Sequence, residues 1–175
     1  FTAFAEAAEP EEVMAALSEF HHAMGRRILE YQGTLERFTG DGLMVFFNDP
    51  LPIHQPATRA VEMAFVMQED ALKLAAQWKK KGYTLGLGIG IAQGYATVGA
   101  IGFEGRIDYG AIGTVTNLAN RLCDLAEPGH ILVSQRVYAE VEESVFAEDI
   151  GEVRLHGFKR PVSAFRLLDL KGLPE

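Results

Sequence analysis

The chain has 175 residues, 24 acidic against 16 basic, a net charge of −8, and 48% hydrophobic residues. That suits one domain, residues 1–175, with a core of its own. It excludes the basic face a nucleic-acid binder needs, because the one basic run, Lys79-Lys80-Lys81, ends a helix whose dipole it complements.

The first helix is expected from Pro10 to Tyr31. Val13, Leu17, Phe20, Met24, Ile28 and Tyr31 recur at helical spacing, Pro10, Glu11 and Glu12 suit the first turn, and Gly33 suits the stop. On this helix His21 lies near the apolar face and His22 outward; neither has a partner at ligand spacing, so both read as structural. A hairpin follows, with strands Leu35–Thr39 and Leu43–Phe47 around Gly40-Asp41-Gly42. A Pro-bearing loop, Asn48 to Pro56, leads to a second helix. Its buried stripe is Ala60, Ala64, Met67, Ala71, Leu74 and Trp78, and Gly82 ends it.

From Leu85 to Ile91 apolar residues alternate with Gly86, Gly88 and Gly90, which is strand period with one bare face. Either a packed element or a ligand must approach that face. A second strand is expected around Tyr95 to Ile101, then a loop from Gly102 to Gly113. A short helix, Thr114 to Ala126, turns Val115, Leu118, Ala119, Leu122 and Leu125 inward, with Cys123 as a small core residue on its apolar side. Ile131–Val133 reads as a buried strand, Gln135–Val141 as a short helix, and Gly151 to Leu170 as a final hairpin. The order gives an α+β domain with a mostly antiparallel sheet.

A single cysteine excludes an internal disulfide and fits a reducing compartment, and no run is long and apolar enough to span a membrane. The expected setting is cytoplasmic, alone or as the cytosolic part of a larger or tethered protein. The absence of an initial Met is consistent with a piece of such a protein.

Few residues offer chemistry. Asp41, at the hairpin tip, reads either as a turn aspartate or as an oxygen ligand for a hard cation such as Mg²⁺. Asn117 and Arg121 are four apart and share a helix face. They read either as surface polar residues or as a pair that orients a ribose and meets charge on a phosphoryl group. No P-loop, dinucleotide fingerprint, nucleophile elbow or paired-cysteine metal motif occurs.

Taken together, the ordered segments resemble the catalytic domain of class III adenylyl and guanylyl cyclases. Gly33 to Phe47, through Arg37-Phe38-Thr39-Gly40-Asp41-Gly42, is similar to their hairpin. Asp108 to Leu122, through Gly113-Thr114-Val115-Thr116-Asn117-Leu118-Ala119-Asn120-Arg121, is similar to their transition-state helix. Phe1-Thr2, Gly88-Ile89-Gly90-Ile91, Gly99 and Gly102, and Pro128 to Ser134 also fit, so the likeness runs through the whole chain.

The resemblance implies a ferredoxin-like core pairing head to tail as a homodimer, with two shared sites for a nucleoside triphosphate. It implies two Mg²⁺ or Mn²⁺ ions held by two aspartates: Asp41, and one three positions before Phe1, in a first strand lying largely upstream. Phe1 and Thr2 would bind substrate phosphate through the backbone, and Gly40 would also contact substrate. Asn117 would orient the ribose and Arg121 would meet charge on the α-phosphate. The substrate's own 3′-hydroxyl closes the ring, so no protein nucleophile is needed.

Three positions depart from the adenylyl cyclase pattern. Arg37 replaces a base-reading Lys; it is a donor, and no carboxylate stands there to favour guanine's donors. Gly110 replaces an Asp or Thr that accepts from the adenine amino group, a loss of about 1–3 kcal/mol of discrimination. His156 replaces a phosphate-binding Lys, with Lys159 and Arg160 near enough to substitute. The leading reading is a cyclase that prefers ATP to GTP. Its alternatives are a weak or inactive cyclase-like module that binds nucleotide and regulates attached domains, and a plain dimerisation domain.

Overall fold

The computed structural model describes residues 1–172. In chain order the elements are α1 (Thr2–Ala7), α2 (Pro10–Glu30), β1 (Thr34–Thr39), β2 (Gly42–Phe46), α3 (Pro56–Lys80), β3 (Ile89–Ile91), β4 (Thr97–Phe103), β5 (Arg106–Ile112), α4 (Thr114–Leu125), β6 (Ile131–Ser134), α5 (Gln135–Val141), a 3-10 turn (Glu142–Ser144), β7 (Val145–Val153) and β8 (Val162–Leu170). Four strands form one sheet in the order β3-β6-β8-β7; β1–β2 and β4–β5 are separate two-stranded ribbons. Only β3–β6 is parallel among the described strands, so the α+β, mostly antiparallel expectation holds.

The long helices follow from their apolar stripes. α2 buries Ala16, Ala23, Met24 and Ile28, and α3 buries Ala60, Val61, Met63, Ala64, Met67, Ala71 and Trp78. Met24, Ile28, Met63 and Met67 join in one cluster, with Leu35, Leu43 and Val45 of the first ribbon packed on it. A fork of hydrogen bonds pins the two helices: Arg27 Nε and Nη2 donate to Asp70 Oδ2 and Oδ1 at 2.7 and 3.1 Å. Asp70 is buried, and the hydrogen bonds from Arg27 hold its carboxyl below the usual carboxylate range. These residues lie 43 apart in sequence, and helical periodicity gives no sign of the pair.

The bare glycine face meets a packed helix. A Cβ on Gly90 would lie 2.3 Å from the amide nitrogen of Cys123 and 2.4 Å from the Ala119 carbonyl oxygen; one on Gly88 would lie 2.6 Å from the Ala126 carbonyl oxygen. Backbone meets backbone there, and only glycine leaves room.

Four expectations need correction. The supposed loop Gly102–Gly113 contains β5, paired from Arg106↔Phe103 to Ile112↔Thr97; the tight Gly102 and Gly105 turn, both at positive φ, looked like loop sequence. The glycine run is a strand only over Ile89–Ile91, because its earlier part lies under Ala126 and Pro128 rather than beside a strand. The final hairpin begins at Val145, six residues earlier than expected. Leu125 of α4 is exposed, and Cys123 is exposed as a residue although its sulfur turns in to the Gly88 carbonyl; α4 rests on β3 through its middle, where Leu122 is fully buried.

Candidate functional site

The β1–β2 ribbon closes through Gly40-Asp41 between the paired Thr39 and Gly42. Gly40 has φ +62° and Asp41 does not share that hand, the pattern of a II′ hairpin turn with glycine first. This turn aims an exposed Asp41 off the tip, and among the described residues its carboxylate has no hydrogen bond or ion pair. It is therefore free to serve as a hard oxygen ligand. No group of three or more His, Cys, Asp or Glu gathers around it among the described residues, so Asp41 fits a metal as one ligand of an incomplete set.

The ribbon β4–β5 carries Gly110 opposite Gly99 and delivers the chain through Gly113 into α4. β5, which carries Gly110, touches both β1, which carries Arg37, and α4, which carries Asn117 and Arg121. The Tyr109 hydroxyl donates to Asp49 and fastens β5 to the loop after β2. On α4, Asn117 is exposed and Arg121 half-exposed, with Arg121 Nη1 3.2 Å from Asp124 Oδ2. The Cys123 sulfur tucks against β3 and donates to the Gly88 carbonyl at 3.4 Å. Desolvation, then the charges of Asp124 and Asp41, push its thiol up.

His156 and Lys159 lie exposed in the loop between β7 and β8. Leu155 is buried against Leu122, with Phe158 and Leu118 packed around them, so this loop is anchored beneath the helix that carries Asn117 and Arg121. Phe1 precedes α1 and Thr2 opens it; Phe4 fixes that helix against Ala16 and Trp78. Phe20 packs on both this cluster and the one under β1.

One residue was missed in sequence. Glu36 is half-buried on β1, and its Oε1 lies 2.9 Å from the point a Cβ on Gly110 would occupy. A carboxylate is therefore present beside the bare Gly110, delivered from the neighbouring strand. Nothing in sequence spacing could show it, because β1 and β5 are separated in the chain by the whole of α3 and three further strands.

Known proteins share this arrangement. The family model described as the adenylate and guanylate cyclase catalytic domain matches residues 1–169. The chain belongs to that family. Solved structures similar to it include the adenylyl cyclase CyaB from P. aeruginosa, at 35% identity and TM-score 0.92, covering 98% of this chain and 89% of that one. The guanylyl cyclase Cya2 follows at 31% identity and TM-score 0.90, covering 98% and 88%. Adenylate cyclase 1 of Rhizobium meliloti is 28% identical over 160 residues, 90% of this chain and 24% of its own length. An adenylate cyclase of Anabaena cylindrica is 31% identical over 144 residues, covering 78% of this chain and 28% of its own. The chain thus spans about a quarter of the length of these curated relatives. No helix of the described residues is long and apolar enough to cross a membrane.

Proposed function

We propose that this cyclase domain converts ATP, in preference to GTP, into the 3′,5′-cyclic nucleotide and pyrophosphate. The observation that carries the reading is the contact of β5 with both β1 and α4, the elements that carry Arg37, Gly110, Asn117 and Arg121. The relatives named adenylate cyclase and the donor side chain of Arg37 support ATP.

In this reading the base lies against β1 and β5, and the ribose and α-phosphate lie along α4. The Asn117 amide holds the ribose so that its 3′-hydroxyl faces the α-phosphorus. As the new P–O bond forms and the bond to pyrophosphate breaks, Arg121 places positive charge beside the α-phosphoryl oxygens. His156 and Lys159 reach the phosphates from the anchored loop. Phe1, Thr2 and Gly40 offer backbone N–H groups to them. Asp41, with a second aspartate expected three positions before Phe1, would hold two Mg²⁺ or Mn²⁺ ions. The chemistry those ions supply when bound is activation of the 3′-hydroxyl and neutralisation of the triphosphate.

A head-to-tail homodimer completes each site, with Asp41, Phe1 and Thr2 from one copy and the α4 residues from the other. Ile101, Phe103, Ile107, Tyr109 and Ile112 form an exposed apolar ribbon on β4–β5, which suits burial against a second copy. The second reading, a regulatory nucleotide-binding module, is favoured by the Arg121–Asp124 pair and by Gly110 and His156 where substrate ligands are usual. Product analysis with Arg121→Ala separates the two. Cyclic nucleotide from the wild type and none from the folded variant supports catalysis; binding without product from either supports the module.

A further inference from the structure

We propose that Glu36 and Arg37 together read the purine, and that Glu36 is the residue that selects adenine; this rests on the cyclase reading above. The starting observation is a register break in β1. Leu35 pairs with Val45 and Arg37 with Met44, which leaves Glu36 without a cross-strand partner. A bulge of this kind re-aims a side chain. Here it sends the Glu36 carboxylate toward β5, with Oε1 2.9 Å and Cδ 3.5 Å from the site of a Cβ on Gly110. Gly110 is outside the left-handed region, so the backbone does not demand glycine. What glycine provides is room, and Glu36 occupies it.

The carboxylate is half-buried and has no hydrogen bond or ion pair among the described residues. Arg37, the next residue, is exposed and equally free of partners among them. Two adjacent, oppositely charged side chains that do not satisfy each other leave an acceptor-only group beside a donor-only group. Adenine offers the complement on neighbouring atoms: the N6 amino group donates and N1 accepts. Guanine in the same place reverses both, setting O6 against the carboxylate and N1–H against the guanidinium. A half-buried charge left facing a like partner loses more than a single neutral hydrogen bond. Selectivity therefore comes from the mismatch with guanine as much as from the match with adenine.

The test uses the full-length protein and three variants: Glu36→Gln, Glu36→Ala, and Glu36→Ala combined with Gly110→Asp. Two ratios are measured for each: kcat/KM for ATP over GTP, and affinity for 3′-deoxy-ATP over 3′-deoxy-GTP, which lack the attacking hydroxyl. Both single variants should lower both ratios by about tenfold or more. The Gly110→Asp change, which puts a carboxylate back where that of Glu36 lay, should raise them again, and Glu36→Gln, which keeps the shape of the side chain and removes its charge, separates base reading from a merely structural role. Ratios within about twofold of wild type in Glu36→Gln, or no recovery in the double variant, overturn the proposal. If the wild type cyclises nucleotide and the ratios do not move, Glu36 fails and the cyclase reading stands. If the wild type makes no product but the binding ratios shift as expected, the cyclase reading fails and Glu36 stands.

Discussion

Gly90 and Cys123 meet backbone to backbone: a Cβ on Gly90 would lie 2.3 Å from the Cys123 amide nitrogen. This contact seats α4 on β3 and so sets where Asn117 and Arg121 stand. Gly90→Ala should destabilise the domain by about 3 kcal/mol, the upper part of the range for overpacking, because neither backbone can give way like a side chain. Urea denaturation measures this. A change below about 0.5 kcal/mol would show that α4 is not held by this approach.

The Arg27–Asp70 fork is the main electrostatic tie between α2 and α3. Arg27→Ala removes both hydrogen bonds from a buried carboxylate, leaves it, among the described residues, only the exposed Lys73 at 3.8 Å, and should cost about 3 kcal/mol at pH 7. The folded carboxyl of Asp70 is held below its unfolded value, so its contribution is full above the unfolded value near pH ~3.9 and fades as pH falls through the folded one. The difference between wild type and variant should therefore narrow below about pH 4. Equal differences at pH 7 and pH 3 would remove Asp70 as the titrating group.

Most of the fold was legible because helical stripes and glycine turns are local signals. Met24, Ile28, Met67 and Trp78 fell where spacing put them, and the bare face of Gly86, Gly88 and Gly90 correctly asked for a close neighbour. What was not legible depends on pairing across distance. β5 was hidden between Gly102 and Gly113 because its exposed, partly polar residues, Arg106, Asp108 and Tyr109, lack a buried alternation. Asp41, Asn117 and Arg121 stood out through motif order, whereas Glu36 became visible only when a bulge in β1 and a glycine in β5 were brought together.

Metal dependence should pass through Asp41. Asp41→Asn keeps size but removes charge, and should lower product formation by at least about a hundredfold with little change in thermal stability, since the residue is exposed. Activity titrated against Mg²⁺ and Mn²⁺ checks it. Wild-type activity in the variant would release Asp41 from the metal role.

Head-to-tail pairing predicts complementation. Asp41→Asn and Arg121→Ala should each be inactive alone, but an equal mixture after subunit exchange should recover about a quarter of the wild-type sites, because mixed dimers hold one intact site. No recovery, with exchange verified by mass, would place both residues in a site made by one chain.

The most direct measurement follows full-length protein with ATP or GTP and Mg²⁺ or Mn²⁺, quantifying cyclic nucleotide and pyrophosphate together. The expected result is equimolar appearance of the two, faster with ATP, and abolished by Arg121→Ala. Tight binding of nucleotide with no cyclic product from either triphosphate would contradict a catalytic role for this domain.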